Sequence, residues 1–546
     1  MLNISKVSLL LTGKIILLAN FGNATRLFIV VKKLVLSLFH ILLISCFYSV
    51  ILPQQLSAQD KKQIEIVQAG SLEGVKVNGV EVRRLIGDVI FKQEDTYMYC
   101  DSAFFYEITN SIDAYGSIRI EGPKVKLYGD VLHYNGNLSK ADITGKTVRL
   151  TDGKMDLTTT AMQYDLEKDI GEYQTGGKVV DKDNVLTSKK GYYYSNERIV
   201  FFKDSVVLTN PKYVMKSDTL KYNTSNSTAY FFGPTHINST GTDSSHIYCE
   251  DGWYNTETEK SRFTKNAYIE SKVNRISGDS LLYDRITRIG RAWSHVTLTD
   301  TVEKIIISGD YAYLNELNGK SFVTGSSLLT KVFETDSLFM HADTLFAMQD
   351  TSTKQKTYFA YHHVRLFKTD LQAQCDSLVY STSDSTIWFF TEPVLWSNKN
   401  QMTAEKIGLV LKGNKINTMH LYTGAFIAGM EDSLRYNQVK GRDMTGYFTD
   451  NKLSTIEVTG NGQSIYYLRN KKQQLTGVNQ ADCSNMIIYL KENKISKISL
   501  LKTPDATLFP VKETDPLQLR LKDFSWKGHL QPLQMLDIFT WPENGN

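Results

Sequence analysis

Three kinds of residue in this 546-residue chain could do chemistry: neighbouring histidines, fragments of a phosphate loop and a recurring acid. His362 and His363 are adjacent and His295 stands apart; a metal site needs further ligands at set spacings, and these histidines lack them. Thr144-Gly145-Lys146-Thr147 and Asn318-Gly319-Lys320-Ser321 end as a phosphate-binding loop does. The glycine such a loop requires five positions upstream is Lys140 in the first and Leu314 in the second. Asp130, Asp218, Asp279, Asp310, Asp343 and Asp376 occur one per sequence repeat, as separate strand ends rather than the clustered oxygens of a calcium site or a catalytic carboxylate pair. The chain has no G-x-S-x-G, no H-E-x-x-H and no paired C-x-x-C. These patterns assign no catalytic residue, no metal ligand and no cofactor.

What positions these residues is a repeat of about 30 residues, a period that marks a solenoid. One half reads small–acid–x–aliphatic–x–Tyr, as in Gly129-Asp130-Val131-Leu132-His133-Tyr134, Ser217-Asp218-Thr219-Leu220-Lys221-Tyr222, Gly278-Asp279-Ser280-Leu281-Leu282-Tyr283 and Cys375-Asp376-Ser377-Leu378-Val379-Tyr380. Looser copies start at Gly309-Asp310, Ala342-Asp343 and Ala404-Glu405. The other half is a strand broken by a corner, as at Gly116, Gly145, Gly233-Pro234 and Thr391-Glu392; His295 and His362-His363 fill the same slot. Turn formers such as Asn135-Gly136-Asn137 and Asn223-Thr224-Ser225-Asn226 lie between the halves. Strict alternation in the first half places Asp218, Leu220 and Tyr222 on one face and Ser217, Thr219 and Lys221 on the other. The fold expected is all-β: an elongated, repetitive β-jelly-roll of about thirteen repeats, a folded-over solenoid of bent antiparallel strands around an apolar interior. At ~4.8 Å per strand it would run on the order of 120 Å with two strands per repeat, or half that as a parallel coil. Cys100, Cys249 and Cys375 take the small-residue slot and Cys483 lies near it; repeats apart, they are too distant for disulfides.

Composition agrees. Thirty Tyr and 25 Phe against ten Pro favour strands. Sixty-two Lys and Arg against 58 Asp and Glu leave no basic excess for phosphates, which argues against a nucleic-acid partner. Residues 1–59 read as targeting: Lys32-Lys33, an apolar run Leu34–Leu52, then Ser57-Ala58 describe an export signal cut near Ala58–Gln59. A lipobox, Leu43-Ile44-Ser45-Cys46, and an uncleaved anchor are the alternatives. The divisions expected after it are repeats over 60–240, divergent repeats over 241–500, and a proline- and tryptophan-rich tail over 501–546 that caps the last rung or docks a partner.

Gly87-Asp88-Val89-Ile90-Phe91, Ala114-Tyr115-Gly116-Ser117-Ile118 and Gly129-Asp130-Val131-Leu132-His133-Tyr134 resemble the A-x-G-x-V and G-D-x-L-x-Y phrases of the OstA/LptA family. The resemblance is clearest over residues 80–240. It implies an open folded-over jelly-roll in the periplasm of a diderm bacterium that shelters lipopolysaccharide acyl chains between its sheets. It further implies a bridge from an inner-membrane exporter to an outer-membrane assembly barrel, joined by strand addition at an edge near residues 80–92. The chain is about three times as long as the small bridge protein and ends too soon after the repeats for a membrane barrel. The lipid-facing residues expected are Ile118, Leu132, Tyr134, Val148, Leu220, Tyr222, Leu281, Tyr283, Leu378 and Tyr380, each of which core packing would equally explain. The rival readings are a side-chain-filled structural solenoid at the cell surface and a polysaccharide-active β-helix with clustered acids.

Overall fold

The computed structural model describes residues 62–542, apart from 242–244, 273, 335, 354, 414, 450–451 and 492–493. The targeting segment and Cys46 therefore lie outside the described residues. The chain divides into two units, Met1–Lys62 and Gln63–Asn546, and the second is one antiparallel sheet of 38 strands among the described residues.

Most strands of 10–14 residues bend once. Glycine or polar pairs with positive φ make the bend, as at Gly116 and Ser117 (77° and 45°), Lys265 and Asn266 (56° and 57°) and His362 and His363 (61° and 53°). The ladder slips there: Tyr115 faces Val131, but Ile118 faces Gly129. Each strand thus has two limbs. A first limb carries residues such as Leu132 and Tyr134; a second carries Leu127 and Ile118. The limbs fold together around an aliphatic and aromatic core.

The slip corrects the face assignment. Met215 and Ser217 point inward on one side of the corner, Leu220 and Tyr222 on the other, and Asp218 between them is exposed. Counting by two fails because the corner inserts an extra residue on one strand. Seen from inside, the small residue is the one required. A Cβ on Gly129 would stand 2.4 Å from Ile143 Cγ2, and one on Gly309 2.6 Å from Val323 Cγ1. Cys100, Cys249 and Cys375 fill this slot as free, buried thiols, and Cys483 is free and buried too. Burial pushes the Cys100 and Cys249 thiols up to about 12.

The acids outside cap their neighbours' corners. Asp101 Oδ2 accepts from the Ser117 hydroxyl at 3.0 Å, and Asp130 Oδ2 from the Lys146 amide at 2.8 Å. Asp279 meets His295 Nδ1 at 2.9 Å, Asp343 meets His363 at 2.8 Å and Asp376 meets His362 at 3.1 Å.

At the N-terminus the strand Val80–Gln93 is not a free edge. Glu65–Gln68 pairs with its second limb and Ser71–Val77 with its first, through a two-residue hairpin at Asn78-Gly79 with φ of 50° and 83°. Asn-Gly between β-branched residues is the strongest short hairpin signal, and here it adds two strands.

Beyond the strand Asp505–Pro510 the tail doubles back over the outer face of the second limb. Gln438 grips it at both ends of its amide: Nε2 donates to the Leu519 carbonyl at 3.1 Å and Oε1 accepts from the Leu521 amide at 2.9 Å. Gln401 repeats the grip on Ser525 and Lys527, at 2.8 and 2.6 Å. The buried Arg365 guanidinium donates to the carbonyls of Leu530, Asp537 and Thr540. Val394 and Trp396 are buried beneath Leu530, and Phe426 and Ile465 beneath Leu521.

Candidate functional site

Two inward rows line the folded sheet, and strand register defines both. On the second limb Leu127, Leu150, Leu157, Val179, Leu186, Leu208, Met215 and Ile237 face one another in succession. The row continues through Ile247, Ile269, Ile276, Leu298, Ile307 and Leu329 to Met340, Leu366, Ala373, Leu395 and Met402. From Leu127 to Met402 it spans on the order of 90 Å at ~4.8 Å per strand. No residue in it carries a hydrogen-bonding side-chain group. Sequence reading missed this row, since the half-repeat that carries it lacks the Asp–Tyr signature.

On the first limb the row near the strand tips alternates large and small: Tyr134, Ala141, Tyr164, Gly171, Tyr193, Val200, Tyr222, Ala229, Tyr254, Ser261, Tyr283. A tyrosine beside a small residue fits because the ring needs the space a second ring would take. Several hydroxyls cross to the tips of the second limb. Tyr134 donates to Gln93 Oε1, Tyr193 to Asp152 Oδ2 at 2.9 Å, and Tyr222 to Asp181 Oδ2 at 2.7 Å. Lys124 adds an ion pair to Asp169 at 2.6 Å, and Lys212 pairs with Glu259. Burial, then the hydrogen bond and charge of Asp181, hold the Tyr222 phenol above its ordinary value; burial and Asp152 do the same for Tyr193.

Of the residues singled out from the repeat, Ile118, Leu132, Tyr134, Val148, Leu220, Tyr222, Leu281 and Leu378 lie inward and buried. Tyr283 and Tyr380 lie inward and half-buried. The phosphate-loop fragments have structural places: Lys146 stands at a corner, and Gly319 ends the turn before the strand Lys320–Thr324. No cluster of metal-binding side chains occurs among the described residues, and no helix there is long and apolar enough to cross a membrane.

Comparison with known proteins agrees with the phrases around Gly116 and Asp130. Residues 61–218 match the family of OstA-like proteins. Among solved structures the chain is similar to LptH of Pseudomonas aeruginosa, described as the LptA-homologous periplasmic component of the conserved lipopolysaccharide transport device. The likeness has 14% identity over 20% of this chain and 82% of that one, with a TM-score of 0.19. No curated protein matches the chain.

Proposed function

We propose that the chain is a periplasmic, non-catalytic carrier in lipopolysaccharide transport between the inner and outer membranes. It shelters acyl chains inside the folded sheet while the charged head group stays in water. The supporting observation is the hydrocarbon row from Leu127 to Met402, which no polar side chain interrupts. Burial at about 25 cal/mol per Å² would hold an acyl chain there, and near-equal rungs would let it advance without a deep trap. Ile118, Leu132, Tyr134, Val148, Leu220, Tyr222, Leu281, Tyr283, Leu378 and Tyr380 would line this path.

Strand addition would supply the contacts to an exporter at one end and an assembly barrel at the other. Among the described residues Glu65–Gln68 and Ser71–Val77 pair only with Val80–Gln93, while Lys494–Leu501 and Asp505–Pro510 pair only with Leu475–Lys491.

Mass spectrometry of lipid retained by the chain purified from a diderm host without detergent tests the proposal. Multi-acyl lipid is the expected result; lipid-free protein would overturn it. The sealed early repeats, where Leu150, Val148 and Leu220 are 0% exposed, favour a second reading for that stretch, a scaffold filled by its own side chains. The same measurement separates the two.

A further inference from the structure

The second-limb row is sealed, then only partly buried, then sealed again. From Leu127 to Ile237 its members are between 0% and 6% exposed. Ile247, Ile269, Ile276, Leu298, Ile307 and Leu329 are only partly buried, although each pairs with the next. Met340, Leu366 and Ala373 are buried again. Six successive strands therefore present an aliphatic lane roughly 24 Å long at ~4.8 Å per strand.

The tyrosine row explains the gap. Four residues after the repeat's acid stands Tyr134, Tyr222 or Tyr283; after Asp310 and Asp343 the same slot holds Leu314 and Ala347. Tyr283 is followed across the first limb by Gly290, Leu314, Ser321 and Ala347 before Tyr358 and Tyr380 restore the rings. Across Gly290, Leu314, Ser321 and Ala347 the tip row of the first limb carries no ring, and Leu314 itself is 37% exposed. The turns at the lips carry exposed aliphatics, Ile286 and Leu317 on the first limb and Val302 on the second.

Resting on the carrier reading, we propose that this stretch is a lateral window where a single hydrocarbon chain of the lipid cargo enters and leaves the interior, made by the loss of two roofing tyrosines at Leu314 and Ala347. A lipid chain is the occupant that fits: the lane is aliphatic throughout and runs without a break into the sealed interior on both sides. Strand addition by a peptide would need an open sheet edge, and the lane strands already pair on both sides.

Benzoylphenylalanine in place of Leu298 or of Leu208, in the full chain incubated with lipopolysaccharide, tests the window. Labelling at position 298 should exceed that at 208. Leu314→Tyr with Ala347→Tyr should lower it about tenfold, the effect of ~1.4 kcal/mol of lost access. Equal labelling at 208 and 298, or labelling at neither while mass spectrometry finds bound lipid, overturns the window and leaves the carrier reading standing. Absence of lipid by both methods overturns both. The 298-to-208 comparison needs no roofing variant, so it decides the matter if the tyrosine pair misfolds.

Discussion

At the scale of single residues the interior is held by hydroxyls that cross from limb to limb. Tyr222 donates its hydroxyl to Asp181, which is buried. Tyr222→Phe should therefore leave a carboxylate without its partner and cost about 1–3 kcal/mol, read as a loss in denaturant melts and faster hydrogen exchange in Tyr213–Asn223. The pH dependence has a definite sign. Folding raises the phenol's pKa, so its contribution is complete below the ordinary tyrosine value of about 10 and is lost as pH climbs through the raised one. Alkaline titration should show tyrosinate from Tyr222 only as the fold opens. The thiols give a simpler check. With Cys100 and Cys249 pushed up to about 12 inside the sheet, an alkylating reagent at neutral pH should spare both until denaturant is added. Rapid native labelling would show that the small-residue slot does not face inward.

At the scale of the strand the corner is the unit of design. A Cβ at Gly129 collides with Ile143, so Gly129→Ala should destabilise by about 1–3 kcal/mol through forced repacking. Cys249→Ala, in the equivalent slot, should cost less because a small side chain is already accommodated there. Asp130→Ala removes the acceptor for the Lys146 amide and should cost about 1 kcal/mol, with local loss of protection at Lys146 in hydrogen exchange. The recurring acids were visible in the sequence; their work as corner caps was not. Histidines at 295, 362 and 363 read correctly as corner residues, because polar pairs tolerate positive φ where the chain must bend. Asp218 read on the wrong face for the same reason, since a bulge shifts the alternation.

At the scale of the molecule the tail determines how the C-terminal half behaves. Trp396, Phe426 and Ile465 are buried on the outer face only because residues beyond 510 lie across them. Removing residues 514–546 should expose that face, and hydrogen exchange should quicken in Val394–Ser397, Asn400–Thr403 and Tyr436–Lys440. Protection in Lys140–Thr151 should stay unchanged, because each rung of such an array is stabilised mainly by its neighbours. Uniform loss along the whole chain would refute that picture.

The sequence by itself determined the strand class, the repeat, the bends, the small-residue slot and the OstA-like phrases, because each is local: a period, a glycine, an acid at fixed spacing. Even the roof gap is written there, as Leu314 and Ala347 in a tyrosine slot. Only the tertiary structure decided that these slots face one another across the fold, that Leu127 to Met402 form one row, and that the tail is strapped along Gln438, Gln401 and Arg365. Those facts depend on register and on contacts between residues 81 to 165 positions apart, which no local pattern encodes.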